Sequence, residues 1–106
     1  MIKIVFFVPV EHKEAVKAAV FDAGAGRIGN YDQCSWEVEG VGQFRPLAGA
    51  MPYLGNVGQL ETSREFKVEM VCEDKLLSEV LKALKQAHPY EEPAYEFVRL
   101  LDPEAL

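Results

Sequence analysis

The chain has 106 residues, of which 49% are hydrophobic, and its formal net charge is −6. This length is typical of one domain with its own core, so residues 1–106 are interpreted as a single domain. The acidic balance argues against nucleic acid as a partner, and no apolar run approaches the roughly 18 residues that a membrane span needs. Cys34 and Cys72 form neither a C-x-x-C pair nor a disulfide framework, which favours a cytoplasmic location.

The first elements predicted along the chain are a strand and a helix. Residues 2–8 are a continuous run of β-branched and aromatic residues, typical of a central strand rather than a signal peptide. Residues 12–23 carry an apolar stripe at helical spacing. Gly24 follows directly and is predicted to end this helix with a left-handed conformation.

The next elements follow from alternation and from a second helical stripe. Residues 34–39 alternate, with Cys34, Trp36 and Val38 on one side, which indicates a half-buried strand. Residues 64–73 alternate in the same way. Asp74 is predicted to cap a helix over residues 75–87, and a last strand is predicted over residues 94–101.

The order strand, helix, strand thus occurs twice and predicts an α+β, ferredoxin-like βαββαβ sandwich. In this fold a four-stranded antiparallel sheet carries both helices on one face, so the other face has no helix to cover it. Val5, Phe7 and Val71 are expected on that uncovered face. We therefore expect a homo-oligomer, either a dimer or a trimer.

A glycine-rich stretch, residues 40–63, separates the second and third strands and holds five of the eight glycines. A hairpin connection normally has about 2–5 residues. Part of this stretch is expected to extend the second strand, and the rest is predicted to be a long loop. Such loops often bind ligands or partner proteins.

The hexapeptide GAGRIG, residues 24–29, matches the G-x-G-x-x-G spacing of dinucleotide-binding loops. Those loops follow a strand and precede a helix, whereas these glycines follow a helix and precede a strand. The pattern therefore favours a helix end and a turn. The alternative is a nest of backbone N–H groups that binds an anion with the help of Arg27.

The segment HPYEEP, residues 88–93, places a histidine, a tyrosine and two carboxylates at the end of the second helix. Pro89 forces the preceding His88 out of helical geometry, so the helix must stop there. One interpretation is structural, with Tyr90 at a subunit contact. The other is that His88, with Glu91 or Glu92, ligates a metal ion or moves a proton, with His12 or a second subunit completing the site.

The two cysteines are interpreted as core thiols, and His12 as a surface residue at the start of the first helix. A redox or metal-binding role for Cys34 or Cys72 is the alternative. The sequence has no Ser-His-Asp order, no H-E-x-x-H motif and no Walker loop.

The stretch GxGRIGNYDxCSWxVEGxGxFxPLxGAxPxxGxxGxLE, together with HPYEEPAYEF, closely resembles the insert domain of the Nif-three-like (YqfO-type) proteins. The resemblance runs from Ile2 to about Leu101 and implies a standalone version of that domain with the CutA and PII-like fold. The HPYE run is similar to an element that precedes the last strand of CutA proteins, which are associated with divalent-metal tolerance. PII-like proteins are trimers that bind partners through the loop between strands two and three.

The metal centre of the longer Nif-three-like proteins lies on flanking segments that are absent here. The resemblance therefore does not imply the GTP cyclohydrolase-type chemistry attached to their name.

These observations predict a small oligomeric binding or regulatory module of the PII/CutA-like type, which senses a small molecule or ion in an intersubunit cleft and is not an enzyme. The ligand-binding residues are predicted to be Arg27, Asn30, Tyr31, Arg45 and Tyr90, and a possible divalent metal ion would use His88 and Glu91. One alternative is a dedicated divalent-metal protein using His88 and Glu91. Another is an accessory subunit that docks on a larger protein through residues 40–63. A nucleotide hydrolase is the weakest alternative, because no nucleophile and base pair is visible.

Overall fold

The computed structural model describes residues 1–106 and confirms the ferredoxin-like fold. Strands β1 (Ile2–Pro9), β2 (Trp36–Phe44), β3 (Glu61–Cys72) and β4 (Tyr95–Arg99) form one sheet in the order β2-β3-β1-β4. All three neighbouring pairs are antiparallel. Helices α1 (Lys13–Asp22) and α2 (Leu77–Ala87) pack against each other on one face of this sheet. None of the helices is long and apolar enough to cross a membrane.

The hydrophobic core lies between the sheet and the two helices. Alternate residues of β1 face the helices, and Ile4, Phe6 and Val8 are fully buried there. The helical stripes supply the opposite wall, which includes Val20 of α1 and Leu84 of α2. Period 2 in the strands and period 3.6 in the helices thus place both apolar sets in one layer.

The first helix ends as predicted, with a glycine just beyond its last turn. Gly24 has a φ of +111°, a backbone conformation that residues with a Cβ rarely adopt. Its N–H donates to the Phe21 carbonyl, and the next N–H, of Ala25, donates to the Val20 carbonyl. This pair of bonds is a Schellman motif, and it satisfies two carbonyls that the helix end would otherwise leave unpaired.

The predicted capping role of Asp74 is wrong. Residues Asp74–Leu76 form a turn of 3₁₀-helix before α2, and neither segment has a side-chain cap. The Asp74 carboxylate instead accepts from Arg99 of β4 at 2.5 Å and pairs with the N-terminal ammonium at 3.1 Å. The hydrogen bond from Arg99, followed by that from the ammonium, lowers the pKa of Asp74. Both cations lie at the same end of the sheet, and the Asp74 carboxylate pairs with them instead of accepting a capping hydrogen bond from a backbone N–H at the start of the helix.

The second strand begins two residues later than predicted, at Trp36, and extends into the glycine-rich stretch as expected, ending at Phe44. The loop between β2 and β3 is therefore limited to residues 45–60. Cys34 lies before the strand and is half-buried, so its predicted place in the core is wrong, whereas Cys72 is buried as predicted. Burial raises the pKa of the Cys72 thiol.

The apolar residues of β2 lie on the sheet face that has no helices. Trp36 pairs with Glu69 and Val38 pairs with Lys67, and both apolar side chains are largely exposed, at 62% and 45%. Between them Glu37 points to the helix side, where Lys13 and Lys17 donate to its carboxylate at 2.6 and 2.8 Å. The pKa of Glu37 is lowered by these two hydrogen bonds. The alternation of β2 was therefore predicted correctly, but its apolar side does not face the core.

Candidate functional site

The segment after α2 is fixed to the sheet by the ring of His88. His88 adopts an extended conformation, with φ −72 and ψ 135, as the following Pro89 requires. The residue is 5% exposed, and its Nε2 lies 2.7 Å from the carbonyl oxygen of Phe7. The N–H of Tyr90 donates to its Nδ1 at 3.1 Å. Because Nδ1 accepts, Nε2 carries the proton and donates to Phe7, so the ring is neutral.

Burial favours this neutral form and lowers the pKa of His88, and its hydrogen bond to Phe7 opposes that shift only in part. The histidine thus links β1 to the segment that follows α2 without carrying a charge at neutral pH.

The Tyr90 side chain lies over the helix-free face of the sheet, at the end where the β2–β3 loop begins. Its hydroxyl donates to Glu65 Oε2 at 2.9 Å and lies 3.4 Å from Ser63 Oγ. Burial, with a contribution from the Glu65 charge, raises the pKa of Tyr90 to about 12. The phenol is therefore protonated at neutral pH and acts as a donor.

Aromatic side chains surround Tyr90. The centroid of its ring lies 5.9 Å from that of Phe44, at the end of β2, and 6.2 Å from that of Tyr53, in the loop. The Tyr53 ring in turn contacts the His12 ring edge-on at 5.5 Å. His12, predicted as a surface residue, is half-buried, and its Nδ1 is enclosed without a hydrogen-bond partner.

Glu65 supplies the carboxylate at the base of this region. It lies on β3 directly opposite Gly40, and its carboxylate lies across the neighbouring Gly42 of β2. A Cβ at position 42 would overlap Oε1 and would lie 2.7 Å from Cδ, so a glycine is needed for the carboxylate to take this place. Glu65 is half-buried, and none of the protein's salt bridges includes it.

The loop folds back toward the HPYEEP segment. The backbone N–H of Met51 donates to Glu91 Oε1 at 2.9 Å. Within the loop, the Gly58 N–H donates to the carbonyl of Pro46 at 2.8 Å, and Pro46 is buried. These bonds hold one side of the loop over the sheet.

Between the loop, the strand ends and the HPYEEP segment lies a cleft of about 600 Å³. This volume falls within the range of roughly 300–1,000 Å³ that is usual for small-molecule sites. Its walls are mainly apolar and include the aromatic side chains of Phe7, Phe44, Tyr53 and Tyr90. The charged side chains that line it are Arg45, Glu65, Glu91 and Glu92. We refer to it as the loop cleft.

The predicted ligand-binding residues fall into two groups. Arg45, Tyr90 and Glu91 line the loop cleft. His88 does not line it but accepts a hydrogen bond from the backbone N–H of Tyr90, which does. Arg27 instead lines a smaller hollow of about 270 Å³ beside α1.

Asn30 and Tyr31, which were predicted to act with Arg27, are exposed in a short turn closed by the Ile28–Tyr31 pair. The structure does not bring these three residues to the loop cleft. Their ligand-binding role stays a prediction.

No three His, Cys, Asp or Glu side chains are grouped closely enough to hold a metal ion. Both ring nitrogens of His88 already make hydrogen bonds, and the Glu91 carboxylate holds the loop through Met51. A metal ion would have to displace at least one of these bonds. The metal role of His88 and Glu91 stays a prediction.

Sequence reasoning missed Glu65, Phe7, Phe44 and Tyr53 as cleft residues. Phe7 was assigned only to a subunit contact, and Phe44 and Tyr53 were treated as parts of an undivided loop. A signal was present for Glu65, since Glu65, Lys67 and Glu69 alternate with the buried side of β3 and must share its other face. The sequence does not show which of the three lies opposite a glycine.

No family model matches the chain. It is 52% identical over 101 residues to the "GTP cyclohydrolase 1 type 2 homolog" of Mycobacterium tuberculosis, covering 95% of this chain and 27% of that protein. It is 45% identical over 94 residues to the protein of the same name from Bacillus subtilis, covering 89% of this chain and 25% of that protein. The chain thus spans about a quarter of the length of these relatives.

The structure is similar to that of a Bacillus cereus protein related to NIF3, with a TM-score of 0.82 and 44% identity over 95% of this chain and 26% of the other. It is also similar to CutA1 from Pyrococcus horikoshii, with a TM-score of 0.69, 19% identity, and coverage of 96% of this chain and 85% of CutA1. The second likeness concerns the fold alone. The chain therefore matches about a quarter of the length of proteins related to NIF3 and has the fold of the CutA1 proteins, which confirms the resemblance seen in the sequence.

Proposed function

We propose that the chain is a small oligomeric binding module that takes up a small molecule or ion in the loop cleft and is not itself an enzyme. The observation that carries the proposal is the cleft of about 600 Å³, because it combines apolar walls with a few oriented polar groups. The loop that closes one side is attached to the opposite wall by the hydrogen bond from Met51 to Glu91 and by the packing of Tyr53 against Tyr90. A ligand that displaced these contacts would move the loop, which supports a regulatory role.

The polar groups of the cleft support binding rather than catalysis. The Tyr90 hydroxyl is committed to Glu65, and its pKa of about 12 makes it a poor base or nucleophile at neutral pH. His88 has both nitrogens engaged beneath the cleft. The name of the longer relatives refers to proteins about four times the length of this chain, so it does not assign an activity to the cleft.

The helix-free face of the sheet supports self-association. Trp36 and Val38 of β2 and Val98 of β4 are exposed there, at 62%, 45% and 46%. Such a face gains hydrophobic free energy when a second copy of the chain covers it. The loop cleft opens on the same side, so a neighbouring subunit would complete its outer wall.

Native mass spectrometry of the protein purified without chelator tests both parts of the proposal. We expect a dimer or trimer that carries extra mass from a bound metabolite or ion. Collisional release of that mass, followed by its identification, would give the ligand class. A bare monomer at micromolar concentration would contradict the proposal, since it would lack both the neighbour and the ligand.

A further inference from the structure

The carboxylate of Glu65 lies at the base of the loop cleft without a counter-ion. It is half-buried, makes no salt bridge, and receives only the neutral hydroxyl of Tyr90 on Oε2. His88, which accepts from the Tyr90 N–H next to the cleft, is kept neutral by burial. A partly buried charge without a partner is unfavourable, and a cation that binds beside it relieves that cost.

We propose that the ligand of the loop cleft is a small organic cation with an apolar body, for which Glu65 is the counter-ion. The proposal rests on the proposed function, because it names the ligand class of the same cleft.

The charges around the cleft select the sign of the ligand. Three carboxylates line it, those of Glu65, Glu91 and Glu92, against the single guanidinium of Arg45. Arg45, Glu91 and Glu92 are exposed, whereas Glu65 is half-buried, so Glu65 is the charge that a ligand inside the cleft would meet. An anionic ligand that reached the base would meet the Glu65 charge with no cation beside it, and it would be repelled.

The ring faces favour an organic cation over a hydrated metal ion. The side chains of Phe7, Phe44, Tyr53 and Tyr90 line the cleft, and the Tyr90 ring lies within 6.2 Å of two of the others. An ammonium or guanidinium group is attracted to such faces within about 6 Å of the centroid. A hard metal ion prefers several oxygen ligands, and no three acidic or histidine side chains are grouped to provide them.

The two oxygens of the Glu65 carboxylate have different surroundings, and Oε1 lies against Gly42, which also lines the cleft. Tyr90 holds Oε2, and Gly42 leaves room for Oε1, which accepts no hydrogen bond from the protein. One carboxylate oxygen is thus positioned by the protein and the other is available to a ligand. A charged hydrogen bond to Oε1 would give the cation its orientation.

The test is a ¹H–¹⁵N NMR titration of the full chain with three probes that share a phenyl ring. Benzylammonium, whose N–H groups can donate to Glu65, is the cation, benzyl alcohol the neutral compound and benzenesulfonate the anion. We expect the cation to shift resonances of the cleft residues and to bind about tenfold or more tightly than benzyl alcohol, with no saturable binding of the sulfonate.

Variants of matched charge locate the effect. Glu65→Gln keeps the shape and the acceptor for Tyr90, and it should weaken binding of the cation about tenfold. Glu96→Gln makes the same charge change on the same sheet face, at an exposed position outside the cleft, and should leave the affinity unchanged. Phe44→Leu, which retains Glu65, should weaken binding of the cation more than that of benzyl alcohol.

Different results separate the two proposals. Equal affinity for the neutral or anionic probe, or a Glu65→Gln variant that binds the cation as the parent does, overturns the cation proposal and leaves the binding module intact. Cleft resonances that shift with protein concentration and not with any probe would mean that a second copy fills the cleft, which also overturns it. If no probe binds and no ligand co-purifies, both proposals fail.

Discussion

Replacing Gly42 by alanine should release Glu65 from Tyr90 without preventing folding. The new Cβ would overlap Glu65 Oε1 and would lie 2.7 and 3.2 Å from Cδ and Oε2. All of these atoms belong to the end of a flexible side chain, so the carboxylate can move away at small steric cost. The move separates it from the Tyr90 hydroxyl, now 2.9 Å from Oε2.

The magnitude follows from two opposing effects. Loss of a hydrogen bond to a charged group costs about 1.5–3 kcal/mol. Replacing glycine by alanine in a compatible backbone conformation stabilises the protein by about 0.4–1 kcal/mol, because it restricts the unfolded chain. Gly42→Ala should therefore lower the free energy of unfolding by about 1–2 kcal/mol.

Gly40 provides the matched control. It lies two residues away on the same strand and face, and a Cβ there would meet nothing within 4 Å. Gly40→Ala should therefore leave stability unchanged or raise it by up to about 1 kcal/mol. Urea denaturation followed by the fluorescence of Trp36 measures both variants under the same conditions.

A double-mutant cycle isolates the hydrogen bond. In a Tyr90→Phe background the carboxylate has no hydroxyl to lose, so Gly42→Ala should behave like Gly40→Ala. The alkaline spectroscopic titration of Tyr90 should also move down from about 12 in the Gly42→Ala protein, because its environment loses the Glu65 charge. Equal destabilisation by Gly42→Ala in both backgrounds would refute the reasoning.

Two further predictions concern the open face and the buried histidine. Val38→Glu should shift the assembly toward monomer in native mass spectrometry, because it places a charge on the helix-free face. The control Val41→Glu places the same charge at an exposed position on the other face of the strand and should leave the assembly unchanged. Unchanged assembly of the Val38→Glu variant would exclude the helix-free face from the interface. The free energy of unfolding should fall as the pH is lowered below the ordinary histidine pKa of 6.5, because the folded-state pKa of His88 lies lower and the unfolded chain binds the additional proton. Urea midpoints between pH 7.5 and 5 measure this, and the slope should be reduced in His88→Gln; an identical slope in that variant would assign the effect to other groups.

The sequence by itself determined the architecture, because each element carries a strong local signal. Period 2 in β3 and period 3.6 in α2 fix which side of each element is apolar, and these sides must meet in one core. Gly24 and Pro89 mark the helix ends through their own backbone restrictions. The end of α2 at Ala87, just before the HPYEEP segment, was therefore predicted at the correct residue.

Tertiary structure decided where charges and apolar faces point. The alternation of β2 could not show that Trp36 and Val38 face away from the helices, because the two orientations differ by one residue of register with β3. Asp74 was predicted as a cap from local sequence, but Arg99 and the N-terminal ammonium reach it only after the sheet has formed. Long-range ion pairing thus overrode the local preference.

The candidate site shows the same division between local signals and long-range pairing. The sequence indicated Tyr90, Glu91 and Arg45, because an acidic, proline-bounded segment and a glycine-rich loop are recognisable locally. Glu65 could be found only from the register of β2 and β3, which places Gly42 beside its carboxylate and lets Tyr90 reach it across 25 residues of chain. Strand pairing is a property of the whole sheet, and it is what turns separate sequence motifs into one cleft.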